Sequence, residues 1–166
     1  MAHRIAIMQP YFVPYLGYFR LFQQVDQFVM YDCVQFPRRG YVHRNQVPDS
    51  QGNPRWLSMP LNKCDQKTPI SDLQWRAGDQ PSFALQIKQL TTQWDIEWTE
   101  ERRQWLDCLT DVSGSVVDYL ERTLAFVCCS LNVARPVVRS STLALPADLK
   151  GQDRILAICA RMGATD

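Results

Sequence analysis

Asp32 and Gln35 stand three residues apart in YDCVQF. A carboxylate there can bind a sugar hydroxyl, hold a metal or take a proton as a general base. The competing reading of Asp32 is a turn cap for the loop that follows. A few residues on, His43, Arg44 and Asn45 form a polar run between Tyr41–Val42 and Val47. An arginine fork suits phosphate, an asparagine can orient a hydroxyl, and a histidine titrates near neutral pH. His43 therefore joins Asp32 as a catalytic candidate, with Gln35, Arg44 and Asn45 as substrate-binding candidates. Arg38, just before them, reads as part of a solvated basic face.

Two more stretches carry candidate binding groups. Arg139, Ser140 and Ser141 precede LKGQDR, where Lys150 and Arg154 flank the start of a helix. Free N–H groups at a helix start, with cations beside them, suit an anion. A capping turn before a surface-charged helix is the other reading. At the opposite end, MQPYFVPYLGYF holds Gln9, Tyr11, Gly17 and Tyr18. Gln9 either meets a ligand or bonds nearby backbone, as buried amides commonly do. Pro10 and Pro14 stiffen the stretch, and Gly17 permits close backbone approach. Tyr11, Phe12, Tyr15, Tyr18 and Phe19 form either a stacking wall or core packing, with packing favoured for Phe12 and Phe19.

The elements that must position these residues follow from periodicity. RIAIMQP (4–10) predicts a buried strand ended by proline, and YLGYFRLFQQV (15–25) has apolar residues at helical spacing. DQFVMYDCVQF (26–36) predicts a second strand, and the length of this strand–helix–strand run is that of a βαβ unit with parallel strands. Further strands are expected at 41–47, 53–62, 70–75 and 135–143. Helices are expected at 81–94, 99–109 and 113–131, and a last one from 151 with Ile155, Leu156, Cys159 and Met162 on its apolar stripe and Gly163 as its cap. The expected fold is α/β and three-layer-like, a single domain over 1–166 with a mostly parallel central sheet and a mainly helical segment near 81–131. In such sheets, ligands bind beyond the carboxyl ends of the strands, where the three polar stretches would meet.

Composition narrows the function. No apolar run approaches the roughly 18 residues of a membrane helix, and no signal-peptide pattern opens the chain, so a cytoplasmic location is expected. The six cysteines form no C-x-x-C pair and only two histidines accompany them, which leaves zinc without support. No cofactor is indicated. The formal net charge is +1, too small for a nucleic-acid surface. The charge is uneven: residues 38–67 hold six basic and two acidic side chains, and residues 68–121 hold four basic and ten acidic ones. A local basic cluster suits an anionic small molecule. Phosphate-loop, dinucleotide and hydrolase-elbow glycine motifs are absent.

The string IAIMQPYFVPYLGYFRLFQQVDQFVMYDCVQFPRRGYVHRNQV resembles the opening of the WbqC-like family of bacterial proteins, and SSTLALPADLKGQDRILAICARMGAT is similar to a later family segment. The resemblance implies a role in surface-polysaccharide synthesis of the O-antigen and lipopolysaccharide type. It implies a transferase-like enzyme acting on a nucleotide- or phosphate-bearing sugar, or alternatively a non-catalytic scaffold of a glycan-assembly complex. Family members usually continue past GAT, so the C-terminus reads as truncated, and Cys33 stands where a second acid is common. A fainter, fold-level likeness to nucleotidyltransferases lacks that group's histidines, whose places fall near Leu16 to Tyr18.

Overall fold

The computed structural model describes residues 2–165. Its centre is a sheet of three parallel strands, β1 (Ile5–Met8), β2 (Gln27–Met30) and β5 (Val137–Arg139), in the order β1-β2-β5. Ile5 lies opposite Gln27, and Phe28 lies opposite Val137. The β1–β2 crossover contains α1 (Leu16–Gln24), so the expected βαβ unit is present. Helical spacing turns Tyr18, Phe19 and Phe22 inward, and the Phe22 ring stacks on Phe28 of β2 at 4.2 Å. Tyr15, which shares that spacing, precedes the helix and is 70% exposed. It is not part of the packed face.

β2 ends six residues earlier than expected. Its partner β5 supplies only Val137 to Arg139, and beyond Met30 the chain turns away. Residues 32–36 instead receive irregular hydrogen bonds from 70–71 and give one to Thr68. The strand expected at 70–75 is accordingly a 3₁₀ turn, Ile70–Asp72. Pro69 opposes Gln35 in an isolated bridge, held by the Phe36 N–H to the Thr68 carbonyl and the Ile70 N–H to the Val34 carbonyl.

β3 (Arg44–Pro48) and β4 (Pro54–Ser58) form a separate antiparallel hairpin, with Arg44 opposite Ser58 and Gln46 opposite Trp56. Its turn is ordered by the Asp49 carboxylate, which accepts from the N–H groups of Gln51 and Asn53.

The helical segment comprises α2 (Gln80–Thr91), α3 (Glu100–Thr110) and α4 (Val116–Ser130). Thr99 caps α3 through the Arg102 N–H, and Ser115 with Asp118 forms a reciprocal capping box at α4. Asp118 also accepts from Arg139 at 2.6 Å, which ties α4 to the end of β5. These donors, Ser115 first and Arg139 next, hold the Asp118 carboxyl down at about 2. The buried stripe of α4, including Val116, Leu120, Leu124 and Cys128, faces the core as its period requires. Phe12 is fully buried there, with Phe83 and Tyr119 rings near it. The last helix, α5 (Gly151–Met162), stops at Gly163 with φ 66°, a left-handed cap. Its inward stripe is Ile155, Ile158, Cys159 and Met162, with Ile158 fully buried; of the expected residues only Leu156, 57% exposed, falls outside it. Among the described residues, no helix is long and apolar enough to cross a membrane.

Candidate functional site

The carboxyl ends of β2 and β5 meet through Asp32. Its side chain is 1% exposed. Oδ1 accepts from the Ser140 hydroxyl at 2.9 Å and the Ser141 N–H at 2.8 Å, and Oδ2 accepts from the Ser141 hydroxyl at 2.6 Å. Ser140 Oγ in turn accepts from the N–H groups of Asp32 and Cys33. The two stretches singled out at these strand ends thus satisfy each other across 108 residues. Arg154 is similarly engaged: it donates to the carbonyls of Leu149, Cys33 and Ala147 at 2.7, 3.1 and 3.2 Å. That guanidinium ties α5 to the loop leaving β2. Lys150 is exposed at the N-cap of α5.

The loop after β1 is fastened in the same way. Tyr18 is 2% exposed, and its hydroxyl donates to the Gln9 carbonyl at 2.8 Å. Burial raises the Tyr18 phenol well above its ordinary pKa, so it stays a donor. Asn45 donates to the carbonyls of Phe12 and Val13 at 3.2 and 2.6 Å. Val13 has φ 44°, a left-handed conformation that a β-branched residue adopts only under constraint, and Asn45 supplies that constraint. At Gly17, a Cβ would fall 2.4 Å from the Tyr15 ring, so any side chain would displace it. Tyr11 is half-buried, with its ring 5.5 Å from Tyr18 and 5.8 Å from Tyr41. Gln9 is half-buried and Gln35 is exposed.

His43 stands apart from these clasps. It lines a cavity of about 550 Å³ together with Arg38, Ser58, Asn62, Lys63, Cys64 and Arg76, floored by Phe36, Met59 and Leu61. None of the lining side chains is a carboxylate. Arg38 donates to the Cys64 carbonyl, and Arg76 donates to the Leu61 carbonyl while pairing with Asp79 at 3.2 Å. Lys63 is exposed and has no hydrogen-bond or ion-pair partner among the described residues. The His43 ring packs edge-on to Phe36 at 5.0 Å, and its Nδ1 is buried without a hydrogen-bond partner. Desolvation, and then the neighbouring Arg44 charge, lower the His43 pKa. The imidazole is therefore neutral at pH 7 and has a nitrogen lone pair to accept a proton.

Arg44 does not line this cavity. Its guanidinium lies over the Trp56 ring at 4.6 Å and donates to the Arg39 carbonyl. The structure thus groups Asp32 with Ser140 and Ser141, and Tyr18 with Gln9. It separates both groups from His43. Arg38 belongs to the cavity and not simply to a solvated face. Ser58, Asn62 and Arg76 were not singled out from the sequence. The basic excess over residues 38–67 spans Ser58 and Asn62 and contains Arg38 and Lys63, whereas Arg76 lies in the acidic segment that follows and had no such signal. Among the described residues, no three His, Cys, Asp or Glu side chains gather as metal ligands.

The chain belongs to the WbqC-like protein family, whose model matches residues 9–166. It is also similar to Uncharacterized protein Rv1507c of Mycobacterium tuberculosis (strain ATCC 25618 / H37Rv), at 38% identity over 58 residues. That match takes in 35% of this chain and spans a quarter of the relative's length. No solved structure matches the chain.

Proposed function

We propose that this member of the WbqC-like protein family is a cytoplasmic, transferase-like enzyme of bacterial surface-polysaccharide synthesis, of the O-antigen and lipopolysaccharide type. Its substrate would be a nucleotide- or phosphate-bearing sugar, held by its anionic group in the His43 cavity. The observation that supports this reading is the lining itself: Arg38, Lys63, Arg76 and His43 converge with no carboxylate in the lining, and only Arg76 is paired, with Asp79. The Arg38 guanidinium, which gives one donor to the Cys64 carbonyl, suits a phosphate or diphosphate, Arg76 adds positive charge beside it, and Lys63 adds an unpaired positive charge. Ser58 and Asn62 can orient hydroxyls. A neutral His43 can take the proton of an acceptor hydroxyl as that hydroxyl attacks the donor. Asp32, Ser140, Ser141, Arg154, Asn45 and Tyr18 hold the loops at the strand ends, apart from the cavity. The sheet order and the helix after β1 are compatible with a three-layer, nucleotidyltransferase-like arrangement whose imidazole pair is absent.

A second reading is a scaffold of a glycan-assembly complex. It is favoured by an open apolar pocket of about 230 Å³ between α3 and α4, where Trp105 stacks on Phe126. Titration with inorganic pyrophosphate, followed by calorimetry at one ionic strength, separates the two readings. The enzyme reading expects binding that falls at least tenfold in an Arg38→Ala/Arg76→Ala variant of unchanged stability, in line with the roughly 1.5–3 kcal/mol of a charge-assisted hydrogen bond. Equal affinity in the variant, or no binding by the native chain, would sink it.

A further inference from the structure

We propose that Trp56 and Tyr41 form a shelf on which the base of a nucleoside phosphate stacks while its phosphates occupy the His43 cavity. This inference rests on the cavity reading and names the part of the ligand that lies outside the cavity. Tyr41 is 47% and Trp56 44% exposed, and their ring centroids are 6.3 Å apart at a tilt of 32°. In contrast, Phe12, Tyr18, Phe22 and Tyr119 are all at most 2% exposed, so the core takes those rings and leaves this pair at the surface.

The hairpin register places the shelf beside the cavity. Side chains alternate along a strand, so Ser58 and Trp56 share one face of β4 and Leu57, which is buried, points the other way. Ser58 lines the cavity, and Trp56 is one same-face step away, about 7 Å along the strand. Arg44, opposite Ser58, lays its guanidinium on the Trp56 ring. An indole, a phenol ring and a guanidinium are flat groups, which match a planar base better than a puckered sugar.

The test is calorimetry on the full chain with uridine, cytidine, adenosine and guanosine diphosphates, inorganic pyrophosphate and glucose 1-phosphate. The native chain should bind at least one nucleoside diphosphate more tightly than pyrophosphate. Trp56→Ala should weaken that nucleoside diphosphate roughly 5- to 100-fold and leave pyrophosphate unchanged, and Trp56→Phe should recover most of the loss. A nucleoside diphosphate that binds no tighter than pyrophosphate, or that is indifferent to Trp56→Ala, overturns the shelf. So does Trp56 dependence confined to glucose 1-phosphate. Pyrophosphate binding reports the cavity and Trp56 dependence reports the shelf, so the two readings fail separately.

Discussion

Replacing Asp32 by alanine should destabilise the fold far more than it alters any chemistry. Three donors lose their acceptor: the Ser140 hydroxyl, the Ser141 N–H and the Ser141 hydroxyl. Hydrogen bonds to a charged group are worth roughly 1.5–3 kcal/mol each, but the three share one carboxylate and do not add. Ser141 is exposed and can turn to water, whereas Ser140 is 2% exposed and cannot. The expected loss is therefore about 3–5 kcal/mol, since the buried Ser140 hydroxyl is left without an acceptor and the two bonds from Ser141 are lost as well. For a chain of this size that corresponds to a fall in Tm of roughly 6–20 °C. Urea unfolding of the native chain, Asp32→Ala, Ser140→Ala and the double variant would measure it. The two sites should couple by about 1–3 kcal/mol, since they contact directly. The opposite outcome is equally clear. If Asp32→Ala unfolds within about 0.5 kcal/mol of the native chain, the scale of an ordinary surface change, yet fails to restore the glycan in a complementation assay, the carboxylate acts on substrate and the clasp argument is wrong.

Asn45→Ala should lower stability by roughly 1–3 kcal/mol, because two backbone carbonyls lose their donor and Val13 loses the restraint on its φ of 44°; chemical denaturation checks it, and a neutral result would place the restraint elsewhere. Asp118 has a folded pKa lowered to about 2, so the unfolded chain binds its proton first and the stability it contributes is present above about pH 4. That contribution is lost as pH falls toward 2, and the Tm difference between the native chain and Asp118→Asn should shrink over the same interval. Cys128 is buried with its thiol pushed up to about 12, chiefly by desolvation, while Cys129 beside it is exposed. Brief alkylation of the folded chain at pH 8, read by mass spectrometry, should label Cys129 and spare Cys128.

The parts of the fold legible in the sequence are those written locally. The βαβ opening follows from two apolar runs bracketing a helical stripe. The caps at Thr99 and Gly163 are local chemistry, and both helices begin or end there. What failed depended on partners distant in sequence. β2 stops where β5 runs out of residues, and past the Gln35–Pro69 bridge the Ser71 N–H goes to the Asp32 carbonyl, out of ladder register, where the chain forms a 3₁₀ turn. Leu156 and Ile158 are equally apolar, and only the docking of α5 decides that Ile158 is the buried one.

The site divides along the same line, and for a reason that is general to polar clusters. Complementary side chains that look like a ligand's partners are, by the same chemistry, good partners for one another. Asp32 accepts from Ser140 and Ser141, and Tyr18 donates to the Gln9 carbonyl, so those groups already have partners. Periodicity cannot reveal this, because it carries no information on contacts across 108 residues. Cations that outnumber their counterions behave differently. Arg38, Lys63 and Arg76 cannot pair with one another; Arg76 is partly matched by Asp79 at 3.2 Å, but Lys63 has no ion-pair partner among the described residues, and no carboxylate lines the cavity they share with His43. They converge through bonds between irregular segments, such as the Arg76 N–H to the Pro60 carbonyl and the Asn62 N–H to the Gln74 carbonyl. No spacing rule encodes those bonds. The uneven charge over residues 38–67 marked the segment that supplies Arg38, His43 and Lys63 to the cavity, although not the cavity itself.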